Sequence, residues 1–301
     1  MTPFCPDGKI DFSGYHSLLE TYLENGAAGL FAVCLSSEMY TLTSLERRQL
    51  TEEAIRHVAG RVPVVACGYL GSTEEERLAS VFATASCGVA AVVIPACQLA
   101  PVEATDQVLL SAFARLLRQT GDLPLGLYEC PEPYHRLFSA ELLDAMLQLA
   151  GERLVFFKDT CCDLGQLAAK AHVCRGTSLR LYNANLPTFL ESLRLGVDGY
   201  CGTSANFYPR LLAEMCQCFQ TNPKHAEALQ QFFNQVQWQV ECKYPRSAKR
   251  FLAGCGAAIG DHCRIPCPEL SDADLQNLET LREDIARHGV LHFNLHPHAA
   301  D

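Results

Sequence analysis

Seven short apolar segments, each followed by an amphipathic stretch, constrain the fold of this chain more than any other feature. Continuous apolar strands separated by helices are typical of a parallel sheet covered on both faces. The pattern predicts strands at 29–35, 62–68, 89–95, 124–128, 154–158, 179–182 and 199–202. It predicts helices at 14–25, 43–58, 73–86, 103–118, 139–149, 163–174, 186–195 and 207–219.

This alternation predicts an α/β fold, a (β/α)8 TIM barrel over residues 1–222. A C-terminal helical segment, residues 223–301, is predicted to pack on the barrel, with helices at 224–241, 245–258 and 271–288. With 301 residues, 49% of them hydrophobic, the chain can form one large domain, and a split into two domains stays open.

The first of the eight barrel strands is predicted to be truncated. Only Met1 to Cys5 precede the turn Pro6-Asp7-Gly8, so either the protein begins upstream of Met1 or residues 1–5 form a stunted strand. A missing strand leaves two sheet edges unpaired. We therefore expect an upstream apolar extension to raise the melting temperature by several degrees, since ~1 kcal/mol shifts it by roughly 2 °C or more.

Charge and cysteine content exclude several classes of function. The net charge of -10 disfavours nucleic acid and anionic membranes as partners. No signal segment or membrane-spanning run is present, which favours the reducing cytoplasm. The 16 cysteines lack a paired Cys-x-x-Cys framework, so we expect core thiols and no zinc site. A polar terminus is preferred over an adventitious metal site at His292, His296 and His298.

Lys158 ends the apolar segment 154–158, where a buried strand is predicted. The other five lysines lie in polar or helical surroundings: Lys9, Lys170, Lys224, Lys243 and Lys249. Burial disfavours the ammonium form, so we expect a nucleophilic amine that condenses with a carbonyl to form an imine. The alternative is a strand-end lysine that reaches solvent or pairs with Asp159.

The other candidate residues follow the ends of predicted strands, where barrel enzymes carry their chemistry. Tyr128 ends the strand before that of Lys158 and can transfer protons, although an isolated tyrosine here is more often a core residue. The hydroxyls of Ser36 and Ser37 can hold a carboxylate beside the imine, and Cys201 is a further substrate-binding candidate. Substrate selectivity is expected to depend on strand-end side chains including Cys97, Glu129, Glu132, Asn183 and Cys201.

Four motifs, in order and at the right spacing, carry a family resemblance: Thr2-Pro3-Phe4-x-x-Asp7-Gly8-x-Ile10-Asp11, Ser36-Ser37-Glu38 before Leu42-Thr43-x-x-Glu46-Arg47, Tyr128-x-x-Pro131, and Phe157-Lys158-Asp159-Thr160-x-x-Asp163. Over residues 2–290 the chain resembles the dihydrodipicolinate synthase/N-acetylneuraminate lyase family of class I aldolases. The resemblance implies a Schiff base between Lys158 and pyruvate or another 2-oxo acid, with Tyr128 as the proton-transfer group. It also implies a homo-oligomer, usually a homotetramer and otherwise a dimer, that needs no metal or organic cofactor.

Departures from the family pattern bear on the reaction. The family's Gly-(Ser/Thr)-Thr-Gly-Glu loop is replaced by the segment 34–38, which keeps Ser36 but has Leu35 in place of the relay hydroxyl. Cys97 and Pro133 stand near the positions of a tyrosine borrowed from a neighbouring subunit and of an aldehyde-binding arginine. These changes disfavour the synthase activity after which the family is named. His135 or Arg136 can supply a replacement charge, although solvated loop positions are preferred.

The sequence therefore predicts a class I lyase or aldolase that acts on a 2-oxo acid. Its second substrate is predicted to be an aldehyde or a sugar acid, and the reaction is cleavage or condensation. Dehydration or hydration of a sugar acid through the same imine stays open, including a dihydrodipicolinate-synthase-like activity. From a different class, a non-catalytic barrel that binds a 2-oxo acid also stays open, because of Leu35. A metal-dependent class II aldolase is the weaker rival, since no cluster of histidines and carboxylates follows the strands.

Overall fold

A parallel sheet of seven strands forms the centre of the computed structural model, which describes residues 1–288. The strands pair in chain order, each with the next. They are β1 (Leu30–Ala32), β2 (Val64–Cys67), β3 (Ala91–Pro95), β4 (Leu125–Tyr128), β5 (Leu154–Asp159), β6 (Arg180–Asn183) and β7 (Gly199–Tyr200). The seven predicted strands are confirmed, with small shifts at their ends.

The closed barrel of eight strands is formed only in part. Within residues 1–288, β1 and β7 are the two edges of the sheet and are not paired with each other. The segment expected to supply the first strand lies outside the sheet, where Phe4 makes an isolated antiparallel bridge with Ile10. Pro3 and Pro6 lack the amide hydrogen that a ladder needs, which disfavours a regular strand in this segment.

Helices lie between successive strands, as parallel pairing requires, and one more helix stands at each end of the series. They are α1 (Phe12–Glu24), α2 (Ser44–Val58), α3 (Glu74–Ser86), the short α4 (Ala96–Leu99), α5 (Asp106–Gln119), α6 (Ala140–Ala150), α7 (Leu164–Cys174), α8 (Phe189–Arg194) and α9 (Pro209–Cys218). Side-chain caps fix several starts. Thr43 and Glu46 form a capping box on α2, and Asp163 accepts a 2.7 Å hydrogen bond from the amide of Gln166 at the start of α7.

Three further helices, α10 (Pro223–Glu241), α11 (Arg246–Gly254) and α12 (Asp272–Arg287), follow the barrel segment. Helix α10 packs against α8 and α9 through an apolar core that includes Leu229 and Phe233. The predicted division at residue 222 coincides with the start of α10, and as a domain boundary it stays a prediction.

A buried ion pair joins α11 to the turn after β1. Lys249 Nζ donates to Glu38 Oε1 at 2.6 Å, and both side chains are 0% exposed. Glu38 Oε2 also accepts hydrogen bonds from the amides of Arg264, at 2.6 Å, and Ile265, at 2.9 Å. The turn that carries Ser36 is therefore anchored to the C-terminal helical segment.

Among residues 1–288, no helix combines the length and the hydropathy needed to cross a membrane. The same residues contain no group of three or more side chains able to hold a metal ion. The tail histidines His292, His296 and His298 lie outside the described residues.

Candidate active site

Lys158 and Tyr128 lie side by side at the ends of adjacent strands. The two residues are register partners in β5 and β4. Lys158 Nζ lies 4.6 Å from the centre of the Tyr128 ring and 5.8 Å from that of Phe31. Lys158 is 8% exposed, and Asp159 pairs with Lys170 rather than with its neighbour in sequence. The alternative in which Lys158 pairs with Asp159 is therefore wrong, and little of the Lys158 side chain reaches solvent.

Two further lysines are buried even more deeply than Lys158. Lys170 and Lys249 are 0% exposed, although the polar or helical sequence around each of them did not predict a buried side chain. A signal existed for Lys170, because it shares the buried face of α7 with Leu167 and Cys174. Each of these two lysines is held by carboxylates, whereas Lys158 faces a cavity.

Tyr128 is kept protonated by its surroundings. It is 2% exposed, and burial raises the pKa of its hydroxyl well above the ordinary value, with the thiols of Cys130 and Cys34 adding to the effect. The Phe31 ring packs edge-to-face with the Tyr128 ring, at 5.7 Å between centres. A buried, protonated phenol beside an amine is suited to donate a proton to an oxygen that leaves or forms nearby.

A cavity of about 650 Å³ opens beside Lys158, within the size range of small-molecule sites. Three sequence candidates, Ser36, Ser37 and Cys201, line this cavity together with Lys158. Burial raises the pKa of the Cys201 thiol, although the Lys158 charge opposes the rise, so the thiol is a neutral part of the wall.

The two serines differ in their freedom to bind a ligand. The Ser37 hydroxyl accepts a 3.3 Å hydrogen bond from the amide of Cys34, which closes the turn after β1. Ser36 is half-buried and lies beside the hydroxyl of Tyr244. Burial raises the pKa of that Tyr244 hydroxyl well above its ordinary value, and the hydrogen bond with Ser36 opposes the rise. Ser36 is therefore the better placed of the two to bind a carboxylate.

Sequence reasoning missed a polar network on the same wall. The Tyr22 hydroxyl donates to Asn206 Oδ1 at 2.8 Å, and Asn206 Nδ2 donates to the Tyr244 hydroxyl at 2.8 Å. These residues come from α1, the turn after β7 and the segment before α11, so no local motif could have revealed them. Of the three residues, Tyr22 and Asn206 line the cavity together with Ser36.

Most of the strand-end residues expected to govern selectivity do not line the cavity; of the five, only Cys201 does. Glu129 is 0% exposed and pairs with Lys170. Asn183 donates to the Thr188 hydroxyl at 3.0 Å and is 1% exposed. For Glu129 and Asn183 the prediction is wrong because their polar groups are used inside the protein.

A thiol cluster covers the ends of β3 and β4. The Tyr40 hydroxyl lies 3.7 Å from Cys97 Sγ and 3.8 Å from Cys130 Sγ, and it donates to the carbonyl oxygen of Glu132 at 2.7 Å. The hydrogen bond from Cys97 lowers the pKa of the Cys130 thiol to about 7, against the effect of burial. Cys97 is thus a buried partner of Tyr40 and Cys130, without a charge to offer a substrate.

The two candidate replacement charges have different surroundings. Arg136 donates to Asp106 Oδ1 at 2.6 Å and to the carbonyl oxygen of Ala104 at 2.7 Å, so its guanidinium is already satisfied. His135 is exposed, and its Nε2 lies 2.7 Å from the Thr160 hydroxyl, two residues beyond Lys158. Of the two, His135 is therefore the candidate for contact with a second substrate.

A sequence profile of the Dihydrodipicolinate synthetase family matches residues 1–285. The chain belongs to this family. A 4-hydroxy-tetrahydrodipicolinate synthase from Stenotrophomonas maltophilia (strain K279a) is 29% identical over 294 residues, which cover 95% of this chain and 94% of the relative. The corresponding protein of Gluconacetobacter diazotrophicus is 27% identical over 275 residues, covering 90% of each chain.

Solved structures of the family share the fold. A prophage protein of the dihydrodipicolinic acid synthase family from E. coli K12, solved in complex with pyruvate, superposes with a TM-score of 0.84 at 21% identity and covers 96% of both chains. A monomeric dihydrodipicolinate synthase variant gives a TM-score of 0.83 at 21% identity, with 96% of this chain and 95% of that chain covered.

Proposed function

We propose that this protein is a class I lyase or aldolase that acts on a 2-oxo acid through a Schiff base on Lys158. The observation that carries the proposal is a buried amine without a carboxylate partner among the described residues, facing a cavity and lying 4.6 Å from the ring centre of Tyr128. Membership of the Dihydrodipicolinate synthetase family supports it.

The proposed reaction begins when Lys158 Nζ attacks the carbonyl carbon of the 2-oxo acid. Tyr128 donates a proton to the oxygen that becomes hydroxyl, and water then leaves to give a protonated imine. The imine withdraws electrons from the adjacent carbon, so the neighbouring bond breaks or forms through an enamine. Ser36 binds the carboxylate of the 2-oxo acid in this scheme.

The residues around this centre bear on which second substrate we favour. Leu35 offers no hydroxyl to relay protons, and Cys97 and Pro133 offer no charge for the carboxylate of an aldehyde substrate. We therefore favour a 4-hydroxy-2-oxo acid or a 3-deoxy-2-oxo sugar acid over the substrates of the synthases to which the chain is similar. A homo-oligomer, a dimer or tetramer, is part of the proposal, and light scattering tests it.

Trapping with borohydride tests the lysine. We expect incubation with pyruvate and borohydride to add a reduced pyruvyl group to the peptide that contains Lys158, and we expect Lys158→Ala to remain unlabelled. Lys224→Ala, at an exposed lysine, is the matched control and should be labelled like the parent. Labelling of Lys158→Ala to the parent level would contradict the assignment.

A release assay then tests the reaction. Pyruvate release is measured over a panel of 4-hydroxy-2-oxo acids and 3-deoxy-2-oxo sugar acids, with loss of water followed in parallel. Pyruvate release identifies an aldolase, and water loss without pyruvate identifies a dehydratase. Imine trapping without turnover on any member would instead favour a 2-oxo acid binding protein.

A further inference from the structure

Three charged side chains, buried from solvent, lie directly behind the ends of β4 and β5. Glu129 and Asp159 follow Tyr128 and Lys158 in the chain, and Lys170 comes from α7. Lys170 Nζ donates to Glu129 Oε1 and to Asp159 Oδ2, at 2.6 Å in each case. We refer to Lys170, Glu129 and Asp159, all of them 0% exposed, as the Lys170 cluster.

The two carboxylates of the cluster also bind the backbone that follows each strand. The amides of Phe138 and Thr160 donate to Glu129 Oε1 and Oε2, both at 2.8 Å. The amide of Cys161 donates to Asp159 Oδ1 at 2.9 Å. The cluster therefore fixes the backbone on the far side of Tyr128 and of Lys158.

Lys170 provides the charge balance that keeps this arrangement together. Burial and the Asp159 charge raise the pKa of Glu129 to about 7, although Lys170 opposes the rise. Burial acts to lower the pKa of Lys170, but the two carboxylates outweigh it and the pKa is raised. Without Lys170, two buried carboxylates would face each other, and one would have to bind a proton or move away.

Movement of either carboxylate would disturb the proposed catalytic pair. Glu129 and Asp159 are each one peptide unit from Tyr128 and Lys158, and the Glu129 amide donates to the carbonyl oxygen of Lys158 at 3.1 Å. We propose that Lys170, through Glu129 and Asp159, is a positioning residue that sets the distance between Lys158 and Tyr128 for imine formation. This inference rests on the Schiff-base function proposed above.

Fold stability alone does not account for such a cluster. Apolar residues of similar volume commonly stabilise a core as well as a buried ion cluster does, or better. Above the Glu129 pKa of about 7, the cluster also holds two carboxylates against one ammonium, and this surplus negative charge behind β5 favours a cationic imine on Lys158 over a neutral one. The positioning of the strand ends and the charge effect on the imine both act at Lys158 and Tyr128, where the proposed chemistry takes place.

The test compares Lys170→Met with a variant of similar stability loss elsewhere. Leu281→Ala serves as the control, because Leu281 is 0% exposed in α12 and truncation of a buried leucine destabilises a fold about as much as the loss of one partner from a buried ion pair. Three quantities are measured for each variant: the melting temperature, the rate of borohydride-trappable imine formation, and the pyruvate concentration that gives half the maximal rate.

We expect Lys170→Met to form the imine ~10- to 100-fold more slowly at saturating pyruvate, because a displacement of ~1 Å between reacting groups costs about that much. The half-saturating pyruvate concentration should change less than twofold, since Ser36 is untouched. Leu281→Ala should melt earlier and form the imine at the parent rate. Glu129→Gln, which keeps the shape of the side chain, should slow imine formation ~10-fold. If Lys170→Met does not fold, the rate of Glu129→Gln alone tests whether the Lys170 cluster positions Lys158 and Tyr128.

The outcomes separate the two proposals. A parent that is never labelled refutes the Schiff-base function, and the positioning role with it. A labelled parent, with parent-like imine formation in Lys170→Met or in Glu129→Gln, refutes the positioning role alone. Equal slowing in Leu281→Ala also refutes it, because the loss then follows general stability.

Discussion

Replacement of Lys249 by methionine tests how strongly the C-terminal helices anchor the turn that carries Ser36. The substitution keeps most of the side-chain volume and removes the cation from a fully buried pair, in which Lys249 Nζ lies 2.6 Å from Glu38 Oε1. Among residues 1–288, Glu38 then keeps two amide donors, from Arg264 and Ile265. Removal of one partner from a buried pair costs ~3–5 kcal/mol.

That cost translates into a measurable shift of the melting temperature. One kcal/mol shifts the melting temperature of chains of 150–250 residues by ~2–4 °C, and the lower value suits a chain of 301 residues. We therefore expect Lys249→Met to melt ~6–10 °C below the parent by scanning calorimetry. Lys243→Met is the matched control, because Lys243 pairs with Asp274 near the surface and should lose only ~2 °C or less.

A double-mutant cycle shows whether the loss comes from the pair itself. Combination of Lys249→Met with Glu38→Gln removes the buried charge left behind, so the double variant should be less destabilised than the sum of the single variants by ~1–3 kcal/mol. The reasoning is refuted if Lys249→Met melts within ~2 °C of the parent, or if the two single effects add.

Three further predictions concern the site and its surroundings. Tyr128→Phe should lower turnover ~10²- to 10⁴-fold while borohydride trapping survives at a reduced rate, and unchanged turnover would remove Tyr128 from the mechanism. Ser36→Ala should weaken pyruvate binding in calorimetric titration, and an unaltered affinity would contradict its role. Glu46→Gln should lower the melting temperature at pH 7, since hydrogen bonds from Arg264 lower the pKa of Glu46 from 4.5 to about 2. A lowered carboxyl pKa stabilises the fold above the unfolded pKa, so the difference between Glu46→Gln and the parent should shrink as the pH falls from 4.5 towards 2, and a constant difference would contradict this.

Periodicity and strand ends predicted much of this molecule. The seven strands follow from their apolar segments, and the meeting of Lys158 with Tyr128 follows from their positions at the ends of neighbouring strands. The pairing of Lys249 with Glu38 could not be predicted, because the two residues are 211 positions apart and nothing local specifies the contact.

Other parts of the site were missed for a different physical reason. A charged side chain looks the same in the sequence whether it faces a ligand or satisfies a neighbour, so Glu129 was expected to contact substrate and instead binds Lys170. The burial of Lys170 depends on two carboxylates from separate strands, which only the assembled sheet brings together.

Within residues 1–288, β1 and β7 are the unpaired edges of the sheet, and this affects how readily copies of the protein associate at high concentration. Free backbone donors and acceptors on an edge strand can template association between copies of a chain. Here β1 has three residues and β7 only two, so an incoming strand could gain few hydrogen bonds at either margin. For the sheet formed by residues 1–288, the brevity of the edge strands therefore limits association between copies of the chain, and lengthening either strand would remove that limit.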